Sequence, residues 1–182
     1  MAVRNVLEGG GLCHPMIIFG PAGTGKTRTL VELIRLLLVV STSTILVAAP
    51  SNAAADVVTR RLADIGFDRS QICRWNALRR IDANIEPKVA EFSNDDTVKS
   101  VRCVITTCLA SNSIPRRNFD FLLIDEAGQA TEPDILIPMK QASGAQVILG
   151  NQRSNYIMTF IGTLISKYIL NLKLVILSSL GQ

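Results

Sequence analysis

Short apolar runs alternate along this chain with longer runs in which apolar residues recur at helical spacing. The short runs are rich in branched residues and suit strands buried on both faces; they lie at residues 16–19, 44–48, 71–75, 101–106, 121–124 and 146–149. The longer runs predict helices over residues 26–40 and 52–65. Strands that alternate with helices indicate an α/β fold, a single parallel sheet with helices on both faces. Residues 76–100 are more polar, and we expect irregular or helical excursions there.

Composition narrows the class of protein. The chain has 182 residues, of which 48% are hydrophobic and 19% charged, and its formal net charge is +4. A domain usually takes about 100 to 200 residues, so one globular domain is expected, and the hydrophobic content excludes a disordered protein. The basic excess suits a polyanionic partner without identifying one.

Cysteine usage and the two ends of the chain bear on location. Four scattered cysteines favour reduced thiols over a disulfide framework, as in a cytosolic or nuclear protein. Residues 1–12 lack the apolar core of a signal peptide, so we expect no secretion. Residues 156–177 are apolar but are interrupted by Lys167, Asn171 and Lys173, which favours a buried segment over a membrane span. No membrane partner is expected.

A phosphate-binding loop follows the first predicted strand and precedes the first predicted helix. The pattern G-x-x-x-x-G-K-[ST] is matched in full by Gly20, Pro21, Ala22, Gly23, Thr24, Gly25, Lys26 and Thr27. In such a loop backbone N–H groups cradle the phosphates, the lysine holds the β- and γ-phosphates, and the hydroxyl of Thr27 binds magnesium. The strand and helix on either side favour this interpretation over a glycine-rich turn without a ligand. The sequence therefore predicts a P-loop NTPase with ATP and Mg²⁺ as cofactors.

An acidic pair at the end of an apolar strand supplies the second half of a nucleotide site. Asp125 and Glu126 follow the run 121–124. We expect Asp125 to hold magnesium through its water shell, and Glu126 to orient and deprotonate the attacking water. Alone, such a pair would more often mark the start of a helix. The phosphate loop about a hundred residues earlier favours the catalytic interpretation.

Several blocks resemble a known family. Asp-Glu-Ala-Gly-Gln-Ala at 125–130 resembles motif II of superfamily 1 helicases of the up-frameshift type, and Ala-Pro-Ser-Asn-Ala-Ala-Ala-Asp at 49–56 resembles their motif Ia. Residues 104–111 are similar to the next block, and the blocks occur in the family's order. Residues 74–77 and 124–133 look closest to the Armitage-like branch, the RNA helicases of small-RNA silencing. The resemblance covers about residues 2 to 150.

The resemblance implies that residues 1–150 form part of a first RecA-like motor domain that hydrolyses ATP and grips single-stranded RNA. The RNA contacts that it implies are Pro50, Ser51, Asn52, Thr106 and Thr107, and it assigns Gln129 to coupling the γ-phosphate to the rest of the motor. Small polar side chains of this kind can bind the nucleic-acid backbone without reading bases. Ordinary structural roles stay open beside this: Ser51 or Asn52 as a helix N-cap, and Thr107 as a plain strand residue.

The resemblance also implies partners, and it has limits. It points to small-RNA silencing proteins as partners and to the cytoplasm, including ribonucleoprotein granules, although the residues do not discriminate RNA from DNA. The family's Gly-Asp-x-x-Gln-Leu motif is replaced by other residues after Gly150, and residues 151–182 form an apolar tail that matches no part of the family. A second motor domain is lacking, so we expect these 182 residues not to unwind nucleic acid alone.

Two other classes of function remain open beside the helicase motor. The first is a nucleotide-dependent P-loop switch or regulatory module without helicase activity. The second is a catalytically inactive interaction protein, which the intact Lys26, Thr27, Asp125 and Glu126 disfavour.

Overall fold

The strands form one parallel sheet. A computed structural model of the chain describes residues 16–19, 23–77, 80, 85–93, 98–115, 118–141, 146–151 and 175–178. Its strands are β1 (Met16–Phe19), β2 (Ile45–Ala49), β3 (Ile72–Arg74), β4 (Cys103–Thr107), β5 (Phe121–Ile124), β6 (Gln146–Asn151) and β7 (Val175–Ser178). Their spatial order is β3-β4-β2-β5-β6-β1-β7, and every pairing is parallel. The predicted α/β class is confirmed.

Helices connect the strands, as parallel pairing requires. They are α1 (Lys26–Val40), α2 (Asn52–Asp64), α3 (Pro87–Ala90) and α4 (Glu132–Met139), with short 3₁₀ turns at Ala110–Ser113 and Ala127–Gln129. The two predicted helices are confirmed, and the six predicted strands are confirmed to within two residues at each end. The sequence did not predict α4, because two prolines lie within its eight residues and hide the helical period.

Each face of the sheet carries its own hydrophobic core. Ile45, Val47 and Ala49 of β2 pack in a cluster that includes buried residues of α1 and α2. Their neighbours Leu46 and Ala48 face a second cluster, to which α4 contributes a buried isoleucine. Successive strand residues point to opposite faces, and a strand covered on both faces is therefore apolar throughout. This explains the unbroken apolar run of β2.

The register of the central strands decides which loops meet. Ala48 of β2 is aligned with Thr106 of β4 and with Ile124 of β5. Parallel strands end at the same edge of a sheet, so the residues after β2, β4 and β5 converge there. Ligands of open α/β sheets bind at this carboxyl edge.

One strand comes from the apolar tail. β7 pairs with β1 at the edge of the sheet, from Met16 opposite Val175 to Phe19 opposite Ser178. Residues 152–174, which hold most of the tail, lie outside the described residues, so its predicted burial is not tested. In the part of the chain that is described, no helix is long and apolar enough to cross a membrane.

The described cysteines are reduced, as the sequence predicts. Cys73, Cys103 and Cys108 are buried and form no disulfide. Burial raises the pKa of Cys103 well above its usual value and that of Cys108 to about 12. These thiols therefore stay protonated at neutral pH. Cys13 lies outside the described residues.

Candidate nucleotide and nucleic-acid site

The phosphate-binding loop leads directly into α1. Gly23 and Gly25 have φ of 80° and 82°, a left-handed backbone that favours glycine. Gly25 is the N-cap of α1, where no side chain caps the helix and the first turn has no acidic residue. The positive end of α1 is thus suited to binding an anion. Lys26 and Thr27 are the first two residues of the helix. Gly20, Pro21 and Ala22 lie outside the described residues, so their contacts stay a prediction.

The loop and the acidic pair meet through Thr27 and Asp125. Thr27 Oγ1 donates a hydrogen bond of 3.1 Å to Asp125 Oδ2, although 98 residues separate them. Asp125 is held in place by its own backbone, whose N–H donates to the carbonyl of Ala48 at 3.0 Å and so continues the β2–β5 pairing by one residue. Asp125 as a residue is only 3% exposed. Two residues assigned to one magnesium ion from sequence are therefore brought together.

Electrostatics at the acidic pair favour a bound cation. Burial raises the pKa of Asp125, although the hydrogen bonds from Thr27 and Glu126 and the charges of Arg61 and Lys26 oppose the shift. Burial likewise raises the pKa of Glu126, the nearby Asp125 charge adds to this, and Lys26 opposes it. Two neighbouring carboxylates that resist ionisation gain stability from a positive ion between them.

Gln129 follows the acidic pair in the 3₁₀ turn Ala127–Gln129. Its N–H donates to the carbonyl of Glu126 at 2.8 Å, and its side chain is exposed. The predicted role of Gln129 in coupling the γ-phosphate stays a prediction.

The residues predicted to grip RNA lie beside one another at the carboxyl edge of β2 and β4. Ser51 caps α2, because its Oγ accepts a hydrogen bond from the N–H of Ala54 at 3.2 Å. Asn52 is exposed, and Thr107 Oγ1 accepts from the N–H of Ala110 at 3.2 Å. The capping role that the sequence left open for Ser51 is thus present in the structure. Pro50 is partly buried between β2 and α2 along the chain.

Thr106 differs from its neighbours. Its side chain is completely buried, and Oγ1 has no hydrogen-bond partner among the described residues. Residues of β4 alternate between the two faces, and Thr106 shares the parity of Val104, which lies in the second core. This burial counts against the RNA contact predicted for Thr106, since the side chain has no surface to offer.

A buried arginine was missed by the sequence-based prediction. Arg74 is the last residue of β3 and is 0% exposed. It donates to Asp56, to Asn52 and to the carbonyl of Trp75. A charge within an apolar strand is the signal that could have found it, because a buried charge requires partners.

Arg60 and Arg80 each form an ion pair with a carboxylate. Arg60 forms an ion pair with Glu86 in which both side chains are more than 40% exposed, typical of a solvated surface. Adjacent arginines occur at 60–61, 79–80 and 116–117, and the sequence predicts a solvated surface for each pair. For Arg80 that is wrong: its side chain is 7% exposed and pairs with Asp56. Arg79, Arg116 and Arg117 lie outside the described residues.

The sequence of this chain is similar to a family model and to known proteins. The model of the AAA domain family matches residues 2–88 and 68–152. RNA helicase Mov10l1 of Homo sapiens is 37% identical over 165 residues, which cover 83% of this chain and 14% of that protein. The probable RNA helicase armi of Drosophila melanogaster is 29% identical over 196 residues, covering 87% of this chain and 16% of that protein. ATP-dependent helicase NAM7 of Saccharomyces cerevisiae is 28% identical, with 84% and 19% covered.

Solved structures support the fold. The UvsW helicase of bacteriophage T4 aligns with a TM-score of 0.62 and 18% identity over 87% of this chain and 55% of its own. A DEAD box protein of Methanococcus jannaschii aligns with a TM-score of 0.63 and 14% identity over 97% and 48%. The chain spans less than a fifth of the curated relatives named above. It belongs to the AAA domain family, and its relatives place it as the first RecA-like motor domain of a superfamily 1 helicase of the up-frameshift type.

Proposed function

We propose that this chain is the ATP-binding motor domain of an RNA helicase, which couples ATP hydrolysis to a grip on single-stranded RNA. The observation that carries the proposal is the 3.1 Å hydrogen bond between Thr27 and Asp125. It joins the phosphate-binding loop to the acidic pair, which are far apart along the chain. The resulting constellation is that of a nucleotide-hydrolysing site.

The donor set fits magnesium and ATP. A hydroxyl and a carboxylate are hard oxygen donors, the kind that Mg²⁺ prefers together with phosphate oxygens. Thr27 and Asp125 would hold the ion, with Asp125 acting through its water shell. The uncapped start of α1 and the ammonium group of Lys26 would receive the phosphates. Bound magnesium supplies charge neutralisation at the phosphate oxygens.

Glu126 is the proposed general base. Its raised pKa makes its carboxylate a stronger base. The residue is partly exposed, so that water can reach it. The charge of Lys26 favours the ionised form of both carboxylates and so opposes the rise in pKa that burial causes. Gln129 is proposed to report the state of the γ-phosphate to the rest of the motor.

The nucleic-acid contacts are proposed for the carboxyl edge of β2 and β4. Pro50, Ser51, Asn52 and Thr107 present small or polar groups there, which would bind the backbone independently of base sequence. The names of Mov10l1 and armi as RNA helicases support RNA as the polymer. The resemblance to the Armitage-like branch supports two further proposals: partners among small-RNA silencing proteins, and a cytoplasmic location.

Titration calorimetry with Mg²⁺ and ATP tests the nucleotide site. Lys26→Ala removes a charge-assisted contact, which is worth about 1.5 to 3 kcal/mol, so affinity should fall by about 10-fold to 150-fold. Lys99→Ala is the matched control, since Lys99 is exposed and precedes β4 at the opposite edge of the sheet. Equal affinity for wild type, Lys26→Ala and Lys99→Ala would exclude a phosphate contact at Lys26.

A nucleotide-dependent switch without helicase activity is the alternative function. Two predicted RNA contacts favour the switch. Thr106 is buried and so is removed from the surface, and Ser51 Oγ already accepts the hydrogen bond that caps α2. RNA-stimulated ATP hydrolysis discriminates the two. Stimulation by single-stranded RNA supports the motor, and an unchanged rate supports the switch.

A further inference from the structure

We infer that Arg74 is a positioning residue for nucleic-acid binding: from inside the fold it holds the amide oxygen of Asn52, which leaves the amide nitrogen as a donor to a backbone phosphate. This inference rests on the proposed function. It adds a role for Arg74, which lies in the block 74–77 and to which the sequence assigned no function of its own.

Arg74 is held rigidly. Its Nε donates to Asp56 Oδ1 at 2.9 Å, its Nη2 to Asn52 Oδ1 at 2.8 Å and its Nη1 to the carbonyl of Trp75 at 2.6 Å. Its own N–H donates to the carbonyl of Phe92 at 2.9 Å. A guanidinium fork with three partners in fixed directions has little rotamer freedom, and Arg74 is not exposed to solvent at all.

The chemistry of the guanidinium sets the orientation of Asn52. Arginine carries only donors, so the group of Asn52 that faces it must be the amide oxygen. The amide nitrogen, a donor, is then left for other partners on an exposed residue at the start of α2. A donor beside the positive end of a helix is suited to a phosphate oxygen. Arg74 thus decides which polarity Asn52 presents.

Charge within the cluster acts in the same direction. Asp56 accepts hydrogen bonds from Arg74 and also from Arg80, whose Nη2 lies 2.6 Å from Oδ2. Burial alone would raise the pKa of Asp56, but the hydrogen bonds from Arg80 and Arg74 outweigh it and keep the pKa below its usual value. Two guanidinium groups therefore share one ionised carboxylate. The cluster keeps one net positive charge beneath the start of α2, which favours a polyanion.

A second contact ties Arg80 to the same segment. Arg80 Nη1 donates to Asn76 Oδ1 at 2.7 Å, and Asn76 Nδ2 donates to Ser93 Oγ at 2.9 Å. The side chains of Arg74 and Arg80 thereby fasten the chain at and after β3 against α2. A residue with a purely structural role would make the same contacts. The variants must therefore separate a loss of RNA binding from a loss of stability.

Asn52→Asp makes that separation. The carboxylate still accepts the hydrogen bond from Arg74, so the fold is retained, but the donor is replaced by a negative charge. Arg74→Lys keeps the charge and loses the fork that spans Asp56 and Asn52. Arg102→Lys is the matched control, because Arg102 also donates to backbone carbonyls, those of Ser41 and Leu38, at the opposite edge of the sheet.

The experiment measures binding of a fluorescent single-stranded RNA to the full chain by anisotropy at low salt, with Mg-ATP affinity and thermal unfolding on the same samples. Asn52→Asp should lower RNA affinity by about tenfold or more with unchanged melting temperature and ATP affinity. Arg74→Lys should lower RNA affinity several-fold beyond any change caused by Arg102→Lys. These results would support the inference.

Two outcomes would overturn it, and they differ in what else they affect. If wild type binds RNA and Asn52→Asp binds it equally well, or if Arg74→Lys and Arg102→Lys have equal effects, only the positioning role fails. If wild type binds ATP but no RNA, the proposed RNA-binding function fails and the positioning role fails with it.

Discussion

The main-chain N–H of Glu126 donates a 3.1 Å hydrogen bond to Oδ1 of Asp125, and Glu126 itself has a left-handed backbone, with φ of 52°. No other non-glycine residue in the described part of the chain has a positive φ. A side chain in this region costs about 1 to 2 kcal/mol. Strain of this kind concentrates at functional sites, where the surrounding structure maintains it. Here it lies at the second residue of the acidic pair, directly after β5.

Glu126→Gly should therefore stabilise the fold and abolish catalysis. Relief of the left-handed strain, offset by the larger chain entropy of glycine, is expected to raise the free energy of unfolding by about 1 kcal/mol. Urea denaturation and phosphate release measure the two effects. Glu126→Gln is the control, since it also removes the charge and the hydrolysis but keeps the strain, so the stability of the Gly variant relative to the Gln variant reports the strain. A Gly variant less stable than the Gln variant would show that φ is not strained in solution.

ATP turnover by these 182 residues should be very slow. Arginine fingers from a second site contribute on the order of 10³ to 10⁵ in rate, and motor enzymes turn over at about 1 per second or faster. The residual rate should fall as pH falls through the raised pKa of Glu126, because a general base must be ionised. Phosphate release as a function of pH, with Glu126→Gln as the blank, checks both statements. Turnover typical of a complete motor would contradict them.

Asp125→Asn should stabilise the nucleotide-free chain and weaken Mg-ATP binding. Because burial raises the folded-state pKa of Asp125 above the unfolded value of about 3.9, the folded state binds the proton more tightly. Stability is therefore lost as pH rises through the folded pKa. Asparagine removes this cost: its amide oxygen can accept from the N–H of Glu126 while its amide nitrogen donates to Thr27 Oγ1. Thermal unfolding at pH 7 should show a higher melting temperature, and calorimetry a loss of magnesium-dependent affinity of about tenfold or more. A lower melting temperature would refute the cost assigned to Asp125.

Binding of single-stranded RNA should be weak, indifferent to base sequence and sensitive to salt. Each phosphate engaged on a single strand contributes a slope of about −0.7 to the dependence of log affinity on log salt, so two or three contacts predict several-fold weakening between about 50 and 200 mM. Ser51→Gly should lower RNA affinity and leave ATP affinity unchanged, since glycine at an N-cap costs only a few tenths of a kcal/mol. Anisotropy with two unrelated oligonucleotides over a salt series is the measurement. Tight, sequence-selective and salt-insensitive binding would argue against the motor and for the switch.

The chain's local chemistry could be predicted from sequence because neighbouring residues determine it. A glycine-rich loop between a strand and a helix needs residues such as Gly23 and Gly25 whatever lies elsewhere in the fold, and the described backbone confirms both positions. The strands were found because burial on both faces demands unbroken apolar runs. The helix α4 escaped prediction because Pro133 and Pro138 interrupt its pattern and a capping box at Thr131 and Asp134 starts it instead.

The partners of polar side chains were decided by tertiary structure. The family resemblance placed Thr106 and Thr107 together as candidate RNA contacts, but strand parity buries Thr106 and leaves Thr107 at the edge. The sequence likewise offered Asn52 without Arg74, because nothing local indicates that an arginine 22 residues later reaches its amide. Which loops meet depends on strand order and register, and these are set by the packing of two cores over the whole sheet. A motif specifies the chemistry that a loop can perform, whereas only long-range packing specifies which other side chains stand beside it.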